Sequence, residues 1–554
     1  MSKTDMAQVV VNVAARPLSI FNHWAFWIFL LIGAGIAGFQ CLMNPIIGTD
    51  TIRYLVPMQN LLSGKGYTIN GNMECFFSPG YGLLAALPYL LIRDLEYAGM
   101  LVSALSYLFI VGCSFYIGMR YFNETTGIIA GFFTAMFPML VSSSYVPLAD
   151  VPYTAFLISS IALSLKIQTD CSKKLLLSSI LGGIMGFGCL IRPDLLLVAL
   201  SVVGLLFIQG AVESYRQGQL SVKPFISGIM LAVAFFLVVL PYMIFLYQHT
   251  GNFTVSNKLG LAAMGGSDVI TDWNLNNAPN PIVYLYNHIS DTYNIIKRNA
   301  HILCFGFLIS MSFMTIPLGI VWIIYPFFAD RKVRDFIPAG EKFLPMALTF
   351  AVFILPLVPA LLYSTGDRYV MPYFVLMIPL LSYLIVAFLT GVLGVLNKKK
   401  LSLFLLSVVF LWAAWSAMPV PRLFDGFQWN IVKVLQNRHG HFVHRAAGLW
   451  FRDKGTAPEQ LSIIAPSKAG VILFYASGKS EPKGRSYSFS GLKSFEDVLK
   501  KMKDEHIEYL FIDKYYGANN EISQAIWRDK VISDKYGLKL VHSVEGLYLI
   551  YRYM

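Results

Sequence analysis

The chain has 554 residues, of which 56% are hydrophobic and only 13% charged. Soluble globular domains carry roughly 25% charged residues, so this composition excludes a soluble protein and predicts many membrane spans. The first apolar run, Trp24 to Met43, is too long for the h-region of a cleaved signal peptide and lacks a small-residue cleavage site, so it is expected to remain as a span.

In chain order, apolar runs long enough to cross about 30 Å of hydrocarbon fall at 24–43, 97–119, 126–146, 149–167, 175–191, 194–210, 224–247, 301–328, 343–363, 369–396 and 401–418. A further stretch, "SPGYGLLAALPYLLI" (Ser78 to Ile92), has two prolines and is short for a span; length favours a re-entrant or interfacial helix. Charge decides the count. With eleven spans and the N-terminus inside, fifteen Lys and Arg fall in inner segments and eight in outer ones. That is the bias the positive-inside rule requires, and adding Ser78–Ile92 as a span reverses it. Eleven spans are therefore expected, with a cytoplasmic N-terminus and an extracytoplasmic C-terminus. The longest outer loops are then 44–96 and 248–300, long enough between spans to suggest function. Asp50, Asp150, Arg192 and Arg368 all fall on the outer face.

Past about 419 the character changes: the last 134 residues hold 20 of the 43 Lys and Arg and 14 of the 31 Asp and Glu. Short β-like runs appear at "LSIIA" (461–465), "YLFID" (509–513), "LKLVHSV" (538–544) and "LYLIY" (547–551). Between them, Phe495, Val498, Leu499 and Met502 make one apolar helix face within Leu492–His506. The expectation is a membrane domain over 1–418 and a small extracytoplasmic α/β domain over 419–554. The six cysteines lie outside that tail and lack metal-ligand spacing, so they are expected to be small packing residues.

Carboxylates are expensive beside hydrocarbon and usually mark a water-filled cavity or a function. Asp50 lies in "NPIIGTDTIRYL" just past the first span, and Asp150 lies in "VPLADVPYTAF" between two later runs. Together with "FFSPGYGLLAALPYLL", "GFGCLIRPDLLL" and "GDRYVMPYFVLMIPLL", in this order and on this side of the membrane, these stretches carry a resemblance. The chain resembles the GT-C superfamily of membrane glycosyltransferases, in particular the bacterial enzymes related to protein O-mannosyltransferases and to the lipid A aminoarabinose transferase.

The resemblance implies transfer of a sugar from a polyprenyl (undecaprenyl) phosphate carrier to a glycan, lipid or protein acceptor at the outer face of the inner membrane. It implies Asp50 as general base, Asp150 as the second acidic position and Arg368 as a ligand of the lipid phosphate. The sequence departs from these relatives in two places. No Glu-Lys pair precedes the prolines of "FFSPGY", where the nearest acid is Glu74, and Asp50 is followed by Thr51 rather than Glu. Headgroup recognition does not transfer.

The chemistry asks for little else. A sugar phosphate is already activated, so one base that removes the acceptor proton and cations aimed at the departing phosphate suffice. Arginine matches phosphate geometry; Arg192, Tyr369, Lys65 and Tyr81 complete the candidate donor-binding set. No cofactor, metal or nucleic acid is expected. The plain alternatives are Asp50 and Asp150 as helix N-caps, Arg192 as a snorkelling interfacial residue, and Arg368 in a local pair within 367–369. Lys65 and Tyr81 have the alternative of being merely solvated or packed. A lipid-linked sugar transporter or flippase is the rival class, along with a non-enzymatic envelope assembly protein. A transporter would place ionisable residues near mid-membrane, whereas here they gather at one face.

Overall fold

The computed structural model describes residues 20–43, 45, 47–169, 173–219, 221–257, 289–310, 343–354, 367–392, 442–489, 491–514, 521–528 and 536–554. Its membrane part contains α1 (Trp24–Met43), α2 (Thr49–Leu62), a two-stranded hairpin β1 (Thr68–Ile69) and β2 (Asn72–Met73), α3 (Gly80–Ile92) and α4 (Leu95–Ile117). Then follow α5 (Glu124–Ala135), α6 (Pro138–Ser143), α7 (Asp150–Thr169), α8 (Lys174–Ile191), α9 (Leu195–Gln217), α10 (Val222–Thr250), α11 (Ile289–Ser310), α12 (Phe343–Ile354) and α13 (Asp367–Val392).

Among the described residues seven helices are long and apolar enough to cross a membrane: α1, α4, α7, α8, α9, α10 and α13. One expected span is different. The run 126–146 is broken into α5 and α6, because Phe137 is extended and Pro138 opens a new helix at its first position. The expected runs 301–328 and 343–363 extend beyond the described residues, and 401–418 and the boundary near 419 lie outside them. The stretch Ser78–Ile92 forms the 13-residue α3, too short by length to span.

Glycines set the closest helix approaches. A Cβ at Gly182 of α8 would collide with the Leu231 carbonyl oxygen of α10, and one at Gly186 would lie 2.8 Å from that of Phe235. Small residues four apart let two helices touch backbone to backbone where no hydrophobic drive separates lipid from protein. Gly80 does the same for α3, where a Cβ would sit 2.5 Å from the Leu190 carbonyl carbon of α8. So α3 is wedged against the end of α8 that carries Arg192.

The C-terminal unit is a three-layer α/β sandwich. It comprises α14 (Phe442–Asp453), β3 (Ser462–Ala465), α15 (Ala469–Ala476), β4 (Arg485–Ser488), α16 (Phe495–Asp504), β5 (Tyr509–Asp513), α17 (Glu521–Arg528), β6 (Leu538–Val544) and β7 (Tyr548–Tyr553). The sheet order is β4-β3-β5-β7-β6, with β4, β3 and β5 parallel and β7 antiparallel to both its neighbours. Strand alternation sorts the core into two faces. Ile463, Tyr509, Phe511 and Ile550 pack with α14 and α15, while Ile464, Leu510, Ile512 and Leu549 pack with α16 and α17. All four β-like runs are strands; the added strand β4, "RSYS", is polar because it is an edge.

The outer face of α15 joins the bundle. Val471, Phe474 and Tyr475 belong to the same buried cluster as the membrane helices. Tyr475 O–H donates to the fully buried Glu96 carboxylate at the start of α4, and its oxygen accepts from the Ile47 N–H at 3.1 Å. Lys479 reaches both Asp94 and Glu96 at 2.7 Å. The α/β domain therefore sits on the end of the bundle where α1 finishes and where α4 and α7 begin.

Candidate active site

Asp50 lies in the first turn of α2. Gly48, not Asp50, occupies the N-cap position, so the helix starts earlier than the capping alternative requires. It meets Arg368, from the first turn of α13, at 2.8 Å. The two residues are 318 positions apart. Arg368 Nη2 also donates to the Tyr369 hydroxyl at 2.7 Å, a local hydrogen bond, while its carboxylate partner is Asp50.

A second pair lies beside the first. Arg192, extended just past the end of α8, donates from Nη1 to Asp150 at 2.8 Å and from Nη2 to Asp194 at 2.7 Å. Its guanidinium also stands over the rings of Tyr153 at 4.8 Å and Tyr369 at 5.4 Å. Arg368 stacks on the same Tyr369 at 4.8 Å, so this ring joins the two pairs. Behind them Tyr153 and Tyr373 link α7 to α13 through their hydroxyls at 3.2 Å.

Tyr54, one turn after Asp50, is buried and close enough to feel Asp150, Asp50, Arg192 and Arg368. Burial, reinforced by the two aspartates, pushes its hydroxyl well above the ordinary tyrosine value, so it stays a proton-bearing group.

Two candidates stand apart. Lys65 is exposed in the turn after the fourteen-residue α2, about 20 Å along the axis from Asp50. Tyr81 is fully buried and its O–H donates to the Gly99 carbonyl at 3.0 Å, packing α3 on α4. Glu74, the acid nearest the departed Glu-Lys motif, is buried and saturated. It takes two bonds from Arg53, at 2.8 and 2.9 Å, and two from the backbone N–H groups of Phe76 and Phe77. That knot shapes the loop rather than the mouth.

Sequence reasoning missed Asp194, Tyr54, Tyr153, Tyr373 and one residue from the other domain. Lys468 precedes α15 and lies within electrostatic reach of Asp50 and Arg368. "RPDLL" did place Asp194 two residues from Arg192; nothing local announces Lys468.

Solved structures share this fold. The ArnT crystal structure from Cupriavidus metallidurans in the apo state matches with a TM-score of 0.55 at 12% identity, over 95% of this chain and 97% of that one. The chain has the GT-C fold of membrane glycosyltransferases. The same ArnT bound to undecaprenyl phosphate matches over the same shares of the two chains at 12% identity, with a TM-score of 0.53. An Archaeoglobus fulgidus oligosaccharyltransferase tethered to an acceptor peptide matches this chain with a TM-score of 0.51 at 11% identity, over 92% of this chain and 71% of that one. Residues 78–245 match the family model described as dolichyl-phosphate-mannose-protein mannosyltransferase. By sequence, no curated protein matches.

Proposed function

We propose that the protein is an inverting glycosyltransferase that moves a sugar from a polyprenyl-phosphate donor to an acceptor at the outer face of the inner membrane. The observation that carries this reading is the ion pair of Asp50 and Arg368, residues 318 positions apart, which puts a carboxylate that can act as base beside a guanidinium that can bind phosphate. An ArnT of the same fold has been captured with undecaprenyl phosphate, which supports a lipid phosphate as the donor headgroup.

The acceptor oxygen bonds to the anomeric carbon as the carbon–oxygen bond to phosphate breaks, its electron pair leaving with the phosphate. The acceptor proton passes to Asp50. Arg368 exchanges its aspartate for the phosphate and holds the charge that develops there. Arg192, engaged by two carboxylates, holds Asp150 and Asp194 in place, and Asp150 orients the acceptor. Tyr369 keeps the two arginines in register.

The test is incubation of purified protein with a panel of polyprenyl-phosphate sugars and an envelope extract, following carrier release by mass spectrometry. One donor is expected to yield free polyprenyl phosphate and a glycosylated acceptor. Transport of an intact lipid-linked sugar into vesicles, with no carrier released from any donor, would favour the flippase alternative and overturn this reading.

A further inference from the structure

Among the described residues, loop 466–468 at the carboxyl end of β3 brings the α/β domain within electrostatic reach of the site through Lys468, and the helix that follows it, α15, packs into the bundle. In the parallel part of the sheet, β3 connects outward to β4 on one side, while β5 on its other side leads toward β6. The β3/β5 boundary is thus a topological switch point, where the crevice beyond the strand ends is the habitual ligand position in open α/β sheets. On the β3 side, α15 follows at once and packs against the membrane helices.

The loop is pinned. His444, fully buried on α14, hydrogen-bonds the Ser467 carbonyl at 3.2 Å, and Asp513 at the end of β5 lies 3.9 Å from the same imidazole nitrogen. Lys468 follows with φ +60° and ψ +29°, a left-handed backbone that favours glycine or asparagine. A lysine held there, half-buried and within electrostatic reach of Asp50 and Arg368, carries backbone strain of the kind that clusters at functional sites.

We propose that the α/β domain completes the site by delivering Lys468 as a second cation, alongside Arg368, for the phosphate headgroup of the lipid-linked donor. This rests on the transferase reading above. The membrane helices then supply the planar fork and the soluble domain supplies the point charge, and each half alone is an incomplete phosphate site. Docking through Tyr475 and Lys479 sets where that charge falls.

The experiment uses the full chain in nanodiscs, titrated with undecaprenyl phosphate, comparing wild type with Lys468→Gly and Lys468→Arg. Glycine suits the left-handed position, so Lys468→Gly is expected to fold and melt at least as well as wild type. It is expected to bind about 10- to 100-fold more weakly, the range for a lost hydrogen bond to a charged group. Lys468→Arg is expected to restore most of the affinity. Burial lowers the proton affinity of Lys468, so wild-type binding is expected to fade as pH rises below the ordinary lysine range, and Lys468→Arg binding to stay flat. Inorganic phosphate should not compete at equal concentration; if it does, the site takes a free anion and the lipid assignment is wrong. Equal binding by wild type and Lys468→Gly overturns the role of Lys468 alone, whereas a wild type that binds no undecaprenyl phosphate removes the transferase reading with it.

Discussion

The two arginine–aspartate pairs at the mouth share a distance and differ in almost everything else. Asp50–Arg368 and Asp150–Arg192 are each 2.8 Å long, yet the first pair is 37% and 39% exposed and the second 11% and 13%. Arg192 is further held by Asp194 and two aromatic faces. A pair open to solvent is worth about 0–1 kcal/mol, and the half-exposed first pair lies nearer that limit than the second, so an incoming phosphate displaces Asp50 from Arg368 at the smaller cost. A buried pair that loses one partner leaves a stranded charge, at about 3–5 kcal/mol. Burial and partner number, not contact length, separate an arginine that can exchange its aspartate for ligand from one that is held in place.

The harshest way to break the comparison is Arg192→Met. It leaves Asp150 and Asp194 facing each other without their cation, so a stability loss of about 3–5 kcal/mol is expected in detergent melts. Adding Asp150→Asn should recover part of it, since removing both partners of a buried pair costs less than removing one. Equal melting of Arg192→Met and wild type would make the second pair as dispensable as the first.

Asp50→Asn should do the reverse. The first pair contributes little to stability, so the variant is expected to insert and melt like wild type while transfer falls about 10²–10⁴-fold. Asp150→Asn alone should slow transfer less. Turnover of Asp50→Asn within about a tenth of wild type lies above the range for a lost base, and would leave Asp50 merely a partner for Arg368.

Arg368→Ala sharpens the contrast more gently. Loss of a charge-assisted bond should weaken undecaprenyl phosphate binding by about 1.5–3 kcal/mol, with bound-state turnover less affected. Arg368→Lys should recover only part, because an ammonium cannot reproduce the guanidinium fork. Unchanged affinity in both variants would move the phosphate elsewhere.

How far these pairs were legible follows from what made them. Hydrophobic length marks α1, α4, α7 to α10 and α13, because a span must fill the bilayer whatever it packs against. Loop charge puts Asp50, Asp150, Arg192 and Arg368 on one face, which is why they can meet. Which arginine takes which aspartate was not legible, since that depends on where α2, α8 and α13 end relative to one another. The break before Pro138 was hidden by continuous hydrophobicity across 126–146. Lys468 and the Glu96–Tyr475 contact join residues hundreds of positions apart and leave no periodic trace.

The smallest effect separates two lysines of the same domain, eleven residues apart. Burial opposes charge at both. At Lys479 the hydrogen bonds it donates to Asp94 and Glu96 outweigh it and raise the proton affinity, whereas at Lys468 burial wins and lowers it. A lysine raised above its unfolded value, about 10.4, gives its full stabilisation below that value and loses it only as pH climbs through the higher folded one. Tyr475 is also pushed well above the ordinary tyrosine value, by burial and then by Glu96, so its O–H goes on donating. Docking of the α/β domain should therefore persist through the alkaline range in which Lys468 gives up its proton. Measured on one nanodisc sample from pH 8 upward, undecaprenyl phosphate affinity is expected to decline first. Protease resistance of the 442–554 region should hold until the pH passes the ordinary lysine value. If affinity and protection fall together, the lost binding reflects undocking, and Lys468 has no separate part in holding the phosphate.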